Sequence, residues 1–396
     1  MRGEEEYQAD RTEKPPENLA LTHLLPSAQS RRGRQAFNST KLSKFYKLDG
    51  MNTEHFERRK ADHLRLALDP EMEALGGSGF DRIHLTHEAL PELDFSELSL
   101  ATPFFGFKAA SPCFISSMTA GHANGEALNL TLAKVASSRR WPMGLGSQRR
   151  ELTDSGASQE WKRLRRLAPN GFFFSNLGLS QLITNPVSKV LELVEALEAG
   201  AIIIHTNPMQ ECLQPEGTPQ FKGGLKAIEK LCKASSVPVI LKETGCGFSK
   251  ETLRKATAVG IAAIDLSGYG GTHWGRIEGG RASAESLQKT AAHTFRGWGE
   301  SSVASLENAL SLGAKLKKTE IWASGGMRSG LDAAKALAMG ARKVGFAKPA
   351  LEAALAGEAT LDAWINRIEF EMKVALFCSG CKTPDALRKE KRWQKI

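Results

Sequence analysis

From residue 110 onward the chain repeats one pattern: a short apolar run that ends in glycine or polar residues, then an amphipathic stretch with helical spacing. Eight runs read as strands: "CFISSMT", "PMGLGSQ", "GFFFSNLG", "AIIIHTNP", "VPVILKETG", "IAAIDLSG", "EIWASGG" and "RKVGFAKP". Helices such as "SKVLELVEALEAG", "LKAIEKLCKAS", "KETLRKATAVG" and "LDAAKALAMGA" alternate with them. Alternation of this kind predicts parallel β/α units. A count of eight predicts a closed TIM (β/α)8 barrel rather than an open sheet.

Almost every strand run ends in groups that can do chemistry: Ser117 and Thr119, Ser147 and Gln148, Asn176, His205 and Asn207, Lys242 and Glu243, Ser267, Ser324. In such barrels the carboxyl ends of the strands and the loops after them form the active face. A wet loop accounts for one or two polar residues. Lys242 is harder to explain that way, because it follows a fully apolar run and its ammonium needs an anionic or polar partner inside the rim.

After the seventh run, "SGGMRSGLDAAKALAMGA" places Gly325 and Gly326 just before a helix that opens near Leu331. Glycines let the backbone approach an anion, and N–H groups near a helix start can bind phosphate. A tight strand-to-helix turn would explain the two glycines alone. Within an eightfold pattern, where phosphate sites often follow strands seven and eight, a phosphate site is the better reading.

The first fifty residues read differently. "MRGEEEYQADRTEKPPENLA" is charged, carries proline and has little to bury, so residues 1 to 50 are expected to be a disordered, dispensable extension, with Met51 as the functional start. The stretch is too acidic for an ordinary organellar transit peptide. "MNTEHFERRKADHLRLAL" then reads as a capped basic helix. The expected division is 1 to 50 extension, 51 to 110 N-terminal helical segment, and 111 to 390 barrel.

The 396 residues are 41% hydrophobic and 24% charged, ordinary for a folded soluble chain, and no run approaches the roughly 18 apolar residues of a membrane span. The net charge of +9 sits largely in the terminal runs "SRRGRQ", "KLSKFYK" and "LRKEKRWQK", which read as solvated tails rather than binding faces. Six scattered cysteines without a secretory signal point to a reducing, cytoplasmic setting, and Cys378 and Cys381 read as structural.

The phosphate segment, "SSMTAG", "SNLG", "VPVILK" and "DLSGYGGT" together resemble the barrel enzymes that bind flavin mononucleotide (FMN). That resemblance implies FMN contacts from Ser117, Met118, Thr119, Ser147, Asn176, Lys242, Thr272, Gly325, Gly326, Arg328, Ala347 and Lys348. A lysine near the flavin's N1 and O2 edge would favour its anionic reduced form. Within this class the chain most resembles the type 2 isopentenyl diphosphate isomerases over about residues 56 to 390, through "RRKADH", "SSMTAG", "GSQR", "SNLG", "HTNPMQECLQPEG", "VPVILKETGCG", "DLSGYGGTHWGRIEGGR" and the phosphate segment in order. The chain departs from the family at its N-terminal extension and at Ala120, where the family usually has glycine.

The resemblance implies a reversible double-bond shift between isopentenyl and dimethylallyl diphosphate, with reduced FMN, NADPH or NADH as reductant, and Mg²⁺. Arg59, Lys60, His63, Ser147, Gln148, Arg149, His205, Asn207 and Gln210 are the implied substrate contacts, and Glu211 the metal ligand. Without the family, "RRK" would read as a solvated helix face. Gln210 is implied to lie near the reacting carbons, positioning or relaying a proton, since a glutamine is a poor acid. Trp274 and Glu278 are implied to close the pocket or assist proton transfer, with a structural Glu278–Arg281 pair an equal alternative. Family members form tetramers or octamers, so a homo-oligomer is expected, with no nucleic-acid or membrane partner.

Two other functions would leave signatures of their own. A flavin-dependent 2-hydroxy acid oxidase would carry a His base and an Arg in an "HGGRQ"-like segment where this chain has "GYGGTHW". A basic nucleic-acid-binding protein would interleave aromatics with its cations, and the basic runs hold few.

Overall fold

The computed structural model describes residues 54–118, 123–316 and 318–396. The expected extension over residues 1 to 50, Met51, Thr119 and Ala120 lie outside the described residues.

All eight predicted runs form strands: β1 (Cys113–Ile115), β2 (Met143–Gly144), β3 (Phe173–Gly178), β4 (Ala201–Thr206), β5 (Val239–Glu243), β6 (Ala263–Asp265), β7 (Glu320–Ala323) and β8 (Lys343–Phe346). They pair in parallel and in sequence order, and β8 returns to β1 with Gly345 opposite Phe114, closing the barrel.

Strand periodicity divides these side chains between two cores. Ile202, Ile204, Leu241, Ile264, Ile321 and Val344 point outward and pack under the surrounding helices. Phe114, Phe174, Ile203, Ile240, Ala263 and Trp322 point inward and form a separate core in the barrel's lower half. A hairpin, Thr102–Phe104 and Phe107–Ala109, inserts Phe104 into that floor, with ring centroids 5.5 Å from Trp322 and 6.2 Å from Phe114. Its two-residue turn, Phe105 and Gly106, has positive φ at both positions (47° and 92°), as the twist of a tight hairpin requires.

The same alternation decides what lies above the floor. Two residues beyond Phe174, Ile203, Ile240, Ala263 and Trp322 stand Asn176, His205, Lys242, Asp265 and Ser324. The inner wall therefore changes from apolar to polar toward the carboxyl end of the barrel.

Five helices position the site: α1 (Glu54–Leu68), α2 (Pro208–Leu213), α3 (Trp274–Arg281), α4 (Gly330–Met339) and α5 (Lys348–Leu355). The basic C-terminal run is not a free tail. It forms a helix, Pro384–Glu390, with Leu387 fully buried, and a strand, Trp393–Lys395, paired with Ile83–Leu85. Its cations are met locally, Lys389 by Asp385 at 2.7 Å, Arg392 by Glu88 at 2.5 Å and Lys395 by Glu307 at 2.7 Å. Cys381 is buried, with its thiol on the Ser379 carbonyl. Among the described residues no helix is long and apolar enough to cross a membrane.

Candidate active site

One cleft at the carboxyl face is lined by nearly every residue singled out from the sequence: Arg59, Lys60, His63, Ser117, Met118, Ser147, Arg149, Asn176, His205, Asn207, Gln210, Glu211, Lys242, Thr272, Trp274, Gly325, Gly326, Arg328, Ala347 and Lys348. Gln148 and Glu278 do not line it. Gln148 is fully buried behind the wall, where its amide oxygen accepts from Ser175 Oγ (2.5 Å) and the Asn176 N–H (3.1 Å).

Glu278 lies beneath the surface of the cleft, fully buried, and gathers the catalytic candidates. Its Oε1 is 2.9 Å from His63 Nε2 and accepts from Gln210 Nε2 at 2.9 Å; its Oε2 accepts from Arg281 Nη1 at 2.5 Å. With its amide oriented to satisfy both neighbours, Gln214 donates to the same Oε1 at 3.3 Å and accepts from Arg59 Nη1 at 3.2 Å. Burial pushes the Glu278 carboxyl up. The His63 hydrogen bond, with Gln210 and Arg281, outweighs burial and holds it below the usual carboxylate range. Burial is also the largest influence on His63, and holds it below its ordinary value, so the ring is neutral near pH 7. Glu278 and Arg281 meet because three residues is a helical neighbour spacing. His273 caps the start of helix α3: its Nδ1 accepts the Arg276 N–H at 3.1 Å, and that ring's Nε2 lies 3.3 Å from the Trp298 carbonyl. His273 is thus committed to a cap, with 1% exposure, and is no counterpart of an oxidase's base.

Helix α1 carries Arg59, Lys60 and His63 at i, i+1 and i+4, a spacing that brings the first and last onto one face. Trp274 meets the His63 ring edge-on, with centroids 5.2 Å apart. Burial first, then the neighbouring Arg59, lowers Lys60 to about 8; burial and Arg149 likewise lower Arg59. Cations that depress one another in this way form a place that favours an anion.

Helix α2 splits its neighbours between two tasks. Asn207, before its Pro208 start, donates through Nδ2 to Gln210 Oε1 (3.0 Å) and Glu211 Oε1 (3.1 Å). Gln210 then reaches Glu278, while Glu211 turns to Thr218, accepting from its N–H at 2.6 Å and its hydroxyl at 3.2 Å. Among the described residues no three His, Cys, Asp or Glu side chains gather as a metal cage. A single buried carboxylate beside carbonyl oxygens still suits Mg²⁺, which keeps waters and often takes only one or two carboxylates.

On the barrel wall, Asn176 Nδ2 donates to the Leu145 carbonyl at 2.9 Å, which leaves its Oδ1 as the acceptor 2.9 Å from His205 Nδ1. The proton of His205 is therefore on Nδ1 and its Nε2 is an acceptor. Burial, then the charges of Lys242 and Lys60, lower this imidazole to about 3. Lys242 Nζ donates to the Glu243 carbonyl at 2.7 Å and lies 3.6 Å from Asp265 Oδ2, while Asp265 Oδ1 accepts from Ser324 at 2.6 Å.

Opposite stands a cradle for an anion. Gly325 and Gly326 have φ of 90° and 71°, and a Cβ on either would lie 2.1 Å from Gly268 O or 2.5 Å from Gly270 O. The start of α4 is closed by side chains. Asp332 accepts the N–H groups of Arg328 (3.0 Å) and Ser329 (3.1 Å), and Glu371 that of Gly330 (2.6 Å). The start of α5 carries no side-chain cap at Ala347, so its positive end is open toward the cleft. Arg328 and Lys348 converge there on one carboxylate, Glu73, whose Oε2 accepts from Arg328 Nη2 at 2.7 Å and whose Oε1 is 2.8 Å from Lys348 Nζ. Backbone that admits no side chain, an open helix start and two cations fit a terminal phosphate.

Five participants escaped the sequence reading: Glu73, Asp265, Gln214, Glu216 and Thr218. Glu216 accepts from Arg281 Nη2 at 2.8 Å and lies 3.9 Å from Arg59 Nε. For Asp265 a signal existed, since two-residue alternation from the strand start puts it inside the barrel.

A relative from Legionella pneumophila (strain Corby), named isopentenyl-diphosphate delta-isomerase, is 50% identical over 335 residues, 85% of this chain and 97% of that protein. One of the same name from Bdellovibrio bacteriovorus is 48% identical over 348 residues, 87% and 99% of the two chains. The chain belongs to the isopentenyl-diphosphate delta-isomerase family. A family model described as FMN-dependent dehydrogenase matches residues 180–394, which makes this the FMN-dependent, type 2 branch of isomerases. A solved structure of a mutant flavocytochrome b2 with pyruvate bound shares the fold, with a TM-score of 0.62 at 19% identity, covering 90% of each chain. The chain thus shares its barrel fold with flavocytochrome b2, and a shared fold does not by itself set the chemistry.

Proposed function

We propose that the chain interconverts isopentenyl and dimethylallyl diphosphate with FMN seated across the barrel mouth and Mg²⁺ on the diphosphate. The observation that carries this is the buried Glu278, which fixes His63, Gln210 and Arg281 beside a cleft walled on one side by Arg59, Lys60 and Arg149. When bound and reduced, the flavin would supply the proton exchange at carbon, with NADPH or NADH as the reductant.

The protein's own residues do the rest. Arg59, Lys60 and Arg149 receive the diphosphate. Glu211 and the Asn207 carbonyl oxygen offer oxygen ligands to Mg²⁺ or its waters. His205 Nε2, an acceptor, suits a hydrogen-bond donor such as water better than a bare diphosphate oxygen. The Gln210 amide is held at both ends, by Glu278 and Asn207, so it orients the hydrocarbon part of the substrate and does not release a proton itself. His63 Nε2–H and the Glu278 carboxylate hold one proton between them behind that amide, and Trp274 with α1 keeps water from the reacting carbons. Arg328, Lys348, the two glycines and the α5 start would hold the flavin phosphate, and Lys242, partnered by Asp265, would offer its cation to the flavin ring. Residues 51 to 110 then serve as a substrate-holding segment over an FMN-binding barrel of residues 111 to 390.

The test is an anaerobic incubation of purified protein with isopentenyl diphosphate, FMN, NADPH and Mg²⁺. Dimethylallyl diphosphate should form only when flavin is reduced and Mg²⁺ is present. No product under any of these conditions, or full turnover with oxidised flavin and chelator, would refute it.

A further inference from the structure

Glu73 joins the two cations of the phosphate cradle, Arg328 and Lys348. Its two carboxylate oxygens take one cation each, Lys348 Nζ at 2.8 Å and Arg328 Nη2 at 2.7 Å, which is how a phosphate monoester would divide itself between them. Burial pushes Glu73 up, but the Lys348 hydrogen bond and the Arg328 charge outweigh it and keep it ionised. The backbone around it is pinned. Glu73 bridges to Thr272, the Ala74 N–H donates to Gly271 O at 2.7 Å, and Arg276 Nη1 donates to the Glu73 carbonyl at 2.8 Å. The side chain is tied instead to those two cations. It has room to move, since the Glu73 side chain is 32% exposed whereas that of Lys348 is 6% exposed.

We infer that Glu73 is an internal surrogate for the flavin phosphate: it holds Arg328 and Lys348 together in the flavin-free protein and swings toward solvent when the phosphate arrives. The inference rests on the cofactor reading above, in that the ligand of this cradle is a phosphate monoester on a flavin. A lysine as buried as Lys348 without a counter-ion would face a large desolvation penalty, so an empty cradle needs an occupant. A tethered carboxylate fills it at high effective concentration and carries less charge than a phosphate dianion, which wins when present. Affinity for FMN is then set partly by this competition, while affinity for riboflavin, which has no phosphate, is not.

The test compares full-length wild-type protein stripped of flavin with Glu73→Gln, which loses the charge, and Glu73→Asp, which keeps it but is too short to span both cations. Glu71→Gln, an exposed neighbour, is the control. FMN, riboflavin and inorganic phosphate as competitor are titrated by flavin fluorescence quenching. Both Glu73 variants should bind FMN about tenfold more tightly, the loss of one charge-assisted contact set from the unbound state, with riboflavin unchanged and phosphate competing at lower concentration. Weakened or unchanged FMN binding in both variants, or an equal shift for riboflavin, overturns the surrogate role and makes Glu73 a fixed partner of the cations. Wild-type protein that binds no flavin would overturn the cofactor reading with it, a result distinct from wild-type binding with unaltered variants.

Discussion

His63 and Glu278, 215 positions apart in the chain, meet through a 2.9 Å hydrogen bond in which both partners are buried. Helix α1 is thereby tied to α3 by a contact that also aligns Gln210, so one carboxylate links the covering helix to the reacting face. Glu278→Gln should lower kcat by roughly 10²- to 10⁴-fold, the range for loss of a positioned proton-handling group. Flavin binding should persist. Rapid-mix turnover alongside flavin titration checks both, and wild-type kcat would remove Glu278 from the chemistry. Glu278→Ala leaves the Arg281 guanidinium without its closest partner and should cost about 3–5 kcal/mol of stability in denaturant unfolding.

As a proposed diphosphate contact, Lys60 should set a pH limit on substrate capture. Its ammonium is charged below about 8 in the free protein and loses its charge as pH rises through that value. A diphosphate anion favours the charged form, so KM should climb above pH 8 while kcat changes little. Lys60→Arg, which stays charged, should flatten the climb. A KM profile from pH 6.5 to 9.5 decides it. A bound anion raises the lysine's pKa, so the saturated enzyme should show the change at higher pH.

Glu211→Gln keeps the size of the side chain and its acceptor oxygen but removes the charge that Mg²⁺ would find. Turnover should fall at least tenfold, with a higher Mg²⁺ requirement and unaltered FMN affinity. Equal Mg²⁺ dependence in variant and wild type would take Glu211 off the metal.

At Gly326 the backbone has φ of 71° and a Cβ would lie 2.5 Å from Gly270 O. Gly326→Ala should therefore cost on the order of 1–3 kcal/mol in strain and weaken FMN more than riboflavin. Thermal melts and flavin titration read these separately.

The barrel was legible because its strands are apolar on both faces and end at glycine or polar residues, so eight runs such as "AIIIHTNP" announce themselves without knowledge of their neighbours. Much of the cleft was legible for the same reason, since strand ends map to one face. Glu73, Glu216 and Thr218 were not, because their meaning depends on partners supplied by the fold: Glu73 meets Arg328 255 positions away. The hairpin carrying Phe104 was hidden by its length, three residues to a strand. The basic C-terminal run misled because charge pattern reports exposure, and its Trp393 and Leu387 show that an exposed run can still be pinned in place.

Phe104, Phe114, Phe174 and Trp322 close the lower end of the barrel. A vessel stoppered at the bottom fills and empties in sequence. A ligand against the inner wall would then enter before, and leave after, one held beneath α1. Under the proposed arrangement, with flavin below and isoprenoid above, each substrate molecule would cover the cofactor, and cofactor loss should be slowest at saturating substrate.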